Sequence, residues 1–257
     1  MSTVMPTATV LASPPVGAGS LLRSWRERRR VSQLELSTVA AVSTRHLSYV
    51  ETGRSRPSRE LLLHLAERLD VPLRERNQLL LAAGFAPVFT EFDLDDPEMR
   101  PIADALSVML AGNEPNPTIV MDRHWNLLMA NDSALLLTAG AAQHLFEPNI
   151  NILRLSLHPD GLSSRIVNFA EVAHHLIDRL RRQIALTGDP VLGDLLEEAL
   201  EWTADIEQAD PDPTAAVVPM TMLIDGQERS FFSMVSTFGT AADVTAAELT
   251  IETFYPA

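Results

Sequence analysis

The sequence predicts an all-α N-terminal domain of five helices joined to an α+β C-terminal domain. Three observations predict it. From Leu21 to Ala83 the apolar residues recur at helical spacing, with a capping residue before most runs. After Pro117 short alternating runs bounded by turn residues appear beside the helices. The two parts also differ in charge. Residues 20–83 hold 12 arginines against 7 acids, net +5, while the rest holds 8 against 27, net −19, within a chain total of −14.

The first 19 residues are uncharged, rich in Pro, Ala, Ser, Thr and Val, and without helical period. They predict a disordered leader. A first helix follows from Leu21 to Arg30, with Leu21, Leu22 and Trp25 on its apolar side. Arg23, Arg26, Arg28, Arg29 and Arg30 crowd the rest, a solvated face or a set of phosphate contacts. Ser32 and Glu35 have the spacing of a capping box for a helix starting at Gln33. Leu36, Val39 and Ala40 form its buried side. Residues 41–43 make a turn, Ser43 caps the next helix, Leu47 and Val50 bury it, and Gly53 stops it. Thr44, Arg45, His46 and Tyr49 are left outside. Ser58 caps a fourth helix carrying Leu61, Leu62, Leu65 and Leu69, and a fifth runs from Leu73 to Ala83.

Two short helices across a tight turn, with a polar first turn on the second, suit entry into a DNA major groove. An ordinary helical hairpin has the same pattern, and the flanks decide. Ser32 and Gln33, Val42 and Ser43, the run LSYVETGRSRPS from Leu47 to Ser58 and the leucine-rich helix after it match in order. On these residues the stretch 20–83 resembles the DNA-binding domain of phage-repressor-like regulators, the XRE family. Ala41 departs from the pattern, which has glycine in the turn. Alanine adopts that conformation at a small cost.

Residues 85–116 read as an acidic, proline-containing linker with a connecting helix through Ile102, Leu106, Met109 and Leu110. Residues 118–121 and 126–130 then form short strands around a turn at 122–125, followed by a helix at 133–137 capped by Asn131 or Asp132. That order opens a PAS-type sensor domain. The runs VMDRHWNLLMAN (120–131), NILRLSLHPDGL (151–162) and LIDRLRRQIALTGDP (176–190) resemble the MmyB-like family. In that family an XRE-type head precedes a PAS-like ligand-binding domain. A long amphipathic helix spans 168–186, Gly188 ends it, and Asp189 with Pro190 starts another. Acids and prolines break the pattern at 209–213. Strands are expected at 215–224 and 228–238 around the hairpin turn Asp225–Gly226, and a final strand carries Leu249, Ile251, Thr253 and Tyr255. Five antiparallel strands with helices on one face are expected. The domain boundaries read 1–19, 20–84, 85–116 and 117–257.

No nucleophile elbow, phosphate loop or zinc-protease motif occurs. Cysteine is absent and no two histidines stand four apart in sequence, so no cofactor, metal site or enzyme activity is expected. No apolar run of eighteen residues and no signal-peptide pattern exist, so a cytoplasmic protein without membrane contact is expected.

The expected DNA-binding residues are Gln33, Ser43, Thr44, Arg45, His46, Tyr49 and Arg54, on a pseudo-palindromic double-stranded operator read by a homodimer. The family resemblance implies a small apolar ligand, with a fatty acid as the leading class. The candidates to line its pocket are Met121, Trp125, Leu127, Met129, Phe146, Ile152, Leu155, Phe232, Met234 and Phe238, with Arg154, His158 and Arg165 at the rim. For any single one of these the plain core role is the better reading. The alternative is a DNA-binding regulator whose C-terminal domain only dimerises or docks a protein partner.

Overall fold

The computed structural model describes residues 17–206 and 217–257. Residues 1–16, most of the expected leader, lie outside the described residues. So do 207–216, with the expected break at 209–213 and the expected strand start at Ala215. The chain forms two compact units, Met1–Val88 and Phe89–Ala257. Among the described residues no helix is long and apolar enough to cross a membrane.

The first unit holds α1 (Ala18–Arg28), α2 (Gln33–Val39), α3 (Thr44–Glu51), α4 (Arg59–Arg68) and α5 (Leu73–Ala82). Helix α1 starts earlier than its apolar period suggested, and Gly19 explains why. A Cβ there would stand 2.1 Å from the Val50 carbonyl oxygen, so only glycine lets α1 lie against the end of α3. The expected caps form. The Ser32 side chain accepts from the Glu35 amide while Glu35 accepts from the Ser32 amide, and Ser43 and Ser58 cap α3 and α4. Leu22, Leu36, Leu47, Leu65 and Leu79 are the centre of the core.

Helices α1, α2 and α4 end alike. Arg30, Ala41 and Asp70 take left-handed backbone (φ +56°, +52° and +47°), and the valine after each donates its amide five residues back. That is the Schellman arrangement, and the buried or half-buried valine completes it. Ala41 therefore does adopt the conformation for which the family pattern has glycine.

The second unit holds α6 (Arg100–Gly112), β1 (Thr118–Met121), β2 (Leu127–Ala130), α7 (Asp132–Leu137), α8 (Ile152–Leu157), α9 (Phe169–Thr187), α10 (Pro190–Trp202), β3 (Met220–Ile224), β4 (Gln227–Ser236), α11 (Val244–Glu248) and β5 (Thr250–Pro256). The strands form one antiparallel sheet in the order β2-β1-β5-β4-β3. The hairpin turn forms as read, with Asp225 and Gly226 both at positive φ.

The expectation of helices on one face is corrected. All four residues of β1 are buried, because both faces are covered. On the inner face Ile119 and Met121 pack with α8, α9 and α10. On the outer face Val120 and Ile251 pack with Leu106 and Leu110 of α6. The sequence signal was there, since a strand buried on both sides reads as an unbroken apolar run. Helix α11 was not foreseen. Its run VTAAE is too short to show a period, and only Asp243, which accepts from the Ala246 amide, marks its start.

The turn between β1 and β2 is a polar clasp. Asp122 accepts from the amides of His124 and Asn126. Trp125 sits at φ +69° and is 2% exposed. Its Nε1 donates to Gln183 Oε1 at 2.8 Å, and the Arg179 guanidinium lies 4.5 Å from its ring. Arg123 and His124 both bond Asp189, which also caps α10. Burial pushes the Asp189 carboxyl up, but those two partners outweigh it and hold the group below the usual carboxylate value. Its share of stability is thus present at neutral pH and lost as pH falls through the folded value.

Candidate nucleic-acid interface and ligand pocket

Helices α2 and α3 form a hairpin whose outer side carries the expected contacts. Ser43, Thr44 and Arg45 are exposed, and His46 and Tyr49 are half-buried. Arg45 Nε donates to the Tyr49 hydroxyl at 3.1 Å, and its guanidinium lies 5.4 Å from the tyrosine ring. This contact pre-orders the arginine and restricts its rotamers. Thr44 Oγ1 stands 2.8 Å from Ser37 Oγ, which ties the two helices together at the turn. Arg54 is exposed just past Gly53.

Two side chains are committed inside the head. Gln33 Nε2 donates to Glu51 Oε2 at 2.8 Å, and Ser43 Oγ accepts from the His46 amide. Arg26 and Arg29, two of the five arginines on the polar face of the first helix, are held inside the head as well. Arg26 forms a two-pronged pair with Glu51, Nε to Oε1 at 2.7 Å and Nη2 to Oε2 at 2.9 Å, and also donates to the Val31 carbonyl. Arg29 donates to the Leu69 and Asp70 carbonyls at the end of α4. Arg56, from the loop, donates to the Ala83 carbonyl at the end of α5. Spacing could not reveal this, because it does not show which arginine of a crowded face meets a helix C-terminus.

The ligand candidates of the second unit do not form one lining. Met121, Trp125, Leu127 and Ile152 belong to the inner cluster under α9 and α10. Phe146 and Leu155 belong to a second cluster with Met222 and Leu162. Met129 and Phe238 lie on the outer face with α6. A register irregularity between Val120 and Met121 shifts β2 relative to β1 and separates Met129 from Leu127. Phe232 stacks on Tyr255, and Met234, paired with Thr253, is 55% exposed on that same outer face. Phe238 lies beyond the end of β4, so it does not continue the strand face of Phe232 and Met234.

The expected rim cations are also placed elsewhere. Arg154 forms a two-pronged surface pair with Glu198 at 2.7 and 2.8 Å. Arg165 donates to the carbonyls of Leu137, Ala139 and Leu223. The His158 Nδ1 accepts from the Asp160 amide at 3.0 Å, and its ring meets the rings of His144 and Trp202 edge-on.

An apolar pocket of about 350 Å³ opens beside the start of α6. Phe92, Met99, Ile102, Phe238, Ala241, Ala242 and Ala246 supply its apolar lining, with Thr240, Glu98 and Asp243. It thus joins the start of α6, the segment before it and the loop between β4 and α11. Of the sequence candidates only Phe238 reaches it. Ala241, Ala242 and Ala246 escaped notice because alanines leave space without carrying any pattern of their own.

Comparison with known proteins gives two family matches. Residues 102–257 match the family model described as the MmyB-like transcription regulator ligand binding domain. Residues 18–79 match a helix-turn-helix domain. Among curated relatives, an uncharacterized HTH-type transcriptional regulator of Mycobacterium bovis is 30% identical over 114 residues, 42% of this chain and 38% of that protein. Another, from Mycobacterium tuberculosis, is 30% identical over 115 residues, 45% of this chain and 74% of that protein. The match to the first of them spans well under half of its length.

Proposed function

This chain belongs to the MmyB-like transcription regulators, and from that membership we propose a ligand-switched, sequence-specific regulator that reads a pseudo-palindromic operator as a homodimer. It is a DNA-binding transcriptional regulator with a family ligand-binding domain. Nothing in the described site converges on a reaction.

The DNA reading rests on the exposed polar first turn of α3. Thr44, Arg45 and His46 are assigned to base edges, Tyr49 to orienting Arg45, and Arg54 to the backbone. The N-termini of α2 and α3, at Gln33 and Ser43, are assigned to phosphates. Arg45→Ala is expected to weaken operator binding by about 1–3 kcal/mol and relax preference at one base position. Fluorescence anisotropy against a panel of single-base operator variants measures both. Unchanged affinity together with unchanged preference would refute the assignment. Two heads about 34 Å apart would meet successive major-groove faces. A monomer by sedimentation at micromolar concentration, with and without operator, would refute the dimer.

The effector reading rests on one observation, the apolar pocket beside α6. Its volume of about 350 Å³ falls at the lower end of the small-molecule range, and its lining is mostly apolar. Glu98 and Asp243 are its charged lining residues, so a fatty acid, the leading class, would enter tail first with its carboxylate in solvent. An effector there touches α6 and the segment before it, the part of the unit that follows the head in sequence. It alters DNA affinity only by favouring one dimer arrangement over another. The test strips the protein of lipid and adds fatty acids and the matching alcohols of graded length, reading thermal shift and operator affinity. Stabilisation that disappears in Ala241→Phe, which fills the pocket, is the expected result. Stabilisation unaltered by Ala241→Phe would move the effector elsewhere, and none at any length would refute the lipid class.

A further inference from the structure

Two histidines and an aspartate, none of which lines the pocket, lie close together. His144 stands in a short 3-10 turn before α8, and His158 and Asp160 stand in the turn after it. One donor atom from each lies within 4.8 Å of the other two. We propose that His144, His158 and Asp160 bind one divalent transition-metal ion of the zinc, cobalt or nickel class.

The backbone beneath them is fixed. The Ala142 amide donates to the Asp160 carbonyl at 2.9 Å, joining the two turns. The Gly161 amide and the Ser163 hydroxyl both donate to the His158 carbonyl. Gly161 is required here, since a Cβ on it would stand 2.3 Å from the Leu155 carbonyl oxygen. Leu145, Leu157 and Leu162, each one or two residues from a donor, are buried. The donors therefore project from anchored chain, and closing them onto an ion needs side-chain rotation alone. The His158 ring is further held edge-on between His144, 5.3 Å away, and Trp202, 5.1 Å away.

The donor chemistry selects the ion. Two imidazole nitrogens and one carboxylate favour zinc and its neighbours over magnesium or calcium, which prefer all-oxygen sets. His144 and Asp160 are exposed, so water completes the coordination. One consequence follows from the tautomers. His158 Nδ1 now accepts from the Asp160 amide. If the ion takes Nδ1, that lone pair is used. If it takes Nε2, the neutral ring carries its proton on Nδ1. Either way the Asp160 amide loses its acceptor, so ion binding is written into the backbone of the turn.

The spacing rule that argued against zinc looked for histidines four apart on one helix. These two are brought together by the fold across α8, so the rule did not apply.

The test uses the full-length chain without an affinity tag, freed of metal by chelator. Zinc is titrated against a chromophoric chelator, cobalt is followed by visible absorption, and amide exchange is measured over residues 159–161. One equivalent of ion is expected, with altered exchange at the Asp160 amide. His144→Ala and Asp160→Asn should each weaken binding by about tenfold or more, with the thermal midpoint of the metal-free protein unchanged because both side chains are exposed. No stoichiometric binding by the parent chain would overturn the proposal. So would binding that survives both substitutions at unchanged affinity, which would place the ion on other histidines.

Discussion

Glu51→Ala is expected to destabilise the DNA-binding head by about 3–5 kcal/mol, the range for removing one partner of a buried ion pair. The Glu51 side chain is fully buried and that of Arg26 nearly so. Glu51 accepts both prongs of Arg26 and the side-chain Nε2 of Gln33. Without it, Arg26 keeps a full charge in the core, and Gln33, at the first turn of α2, loses its anchor. The effect should reach DNA binding even where the head stays folded, since the pair fastens α1 and α2 to α3. Guanidinium unfolding of the full chain reads the stability, and operator affinity reads the second effect. Replacing both members with matched apolar residues should cost much less than either single change, because no charge is stranded. A single-substitution loss below about 1 kcal/mol, the level of an exposed pair, would show that the pair is solvated.

Trp125→Ala is expected to cost the ligand-binding unit about 3–5 kcal/mol. Its indole fills the inner cluster, holds Gln183 and lies under Arg179, whose Nη1 also donates to the buried Glu252 at 2.7 Å. The substitution opens a cavity, uncovers the Arg179 guanidinium, which keeps Glu252, and takes from Gln183 Oε1 its indole donor. It also leaves the positive φ in place, so alanine regains nothing from relaxed backbone. Trp125→Phe separates the contributions. It keeps most of the apolar volume and loses the indole N–H bond, a net contribution of about 0.5–1.5 kcal/mol. Near-equal losses for the two variants by thermal unfolding would show that the polar contact, and not packing, dominates.

The five helices of the head were legible because each advertises itself locally. Ser32, Ser43 and Ser58 stand where caps must stand, and the leucines behind them keep one face. The sheet was legible to the extent that its turns are local, as at Asp225–Gly226. The pocket was not. A cavity is defined by what several distant segments leave unfilled; Met121, Trp125, Phe146 and Met129 pack in the core clusters instead, and Phe238 alone of the candidates reaches the pocket. Leu127 and Met129 show the limit well. They are two residues apart on one strand, yet a single register irregularity puts them on opposite faces. Arg154 and Arg165 failed for a similar reason, since a cation near a loop in sequence takes whichever carboxylate or carbonyl the fold brings first.

The arginines that close helix ends change how the head should answer to salt. Of its twelve, Arg26, Arg29, Arg56 and Arg76 are bound to carbonyls or to Glu51, and Arg23 is paired with Glu27. Condensed counterions leave a duplex only where a cation comes to rest against a phosphate, and each such contact contributes about 0.9 to the slope of log affinity against log salt concentration. These five arginines already have partners within the head, so the slope should draw on the other seven at most, Arg45 and Arg54 among them, and fall short of the arginine count. Binding by this head should then persist to higher ionic strength than its composition suggests, with more of its selectivity carried by contacts that salt does not screen.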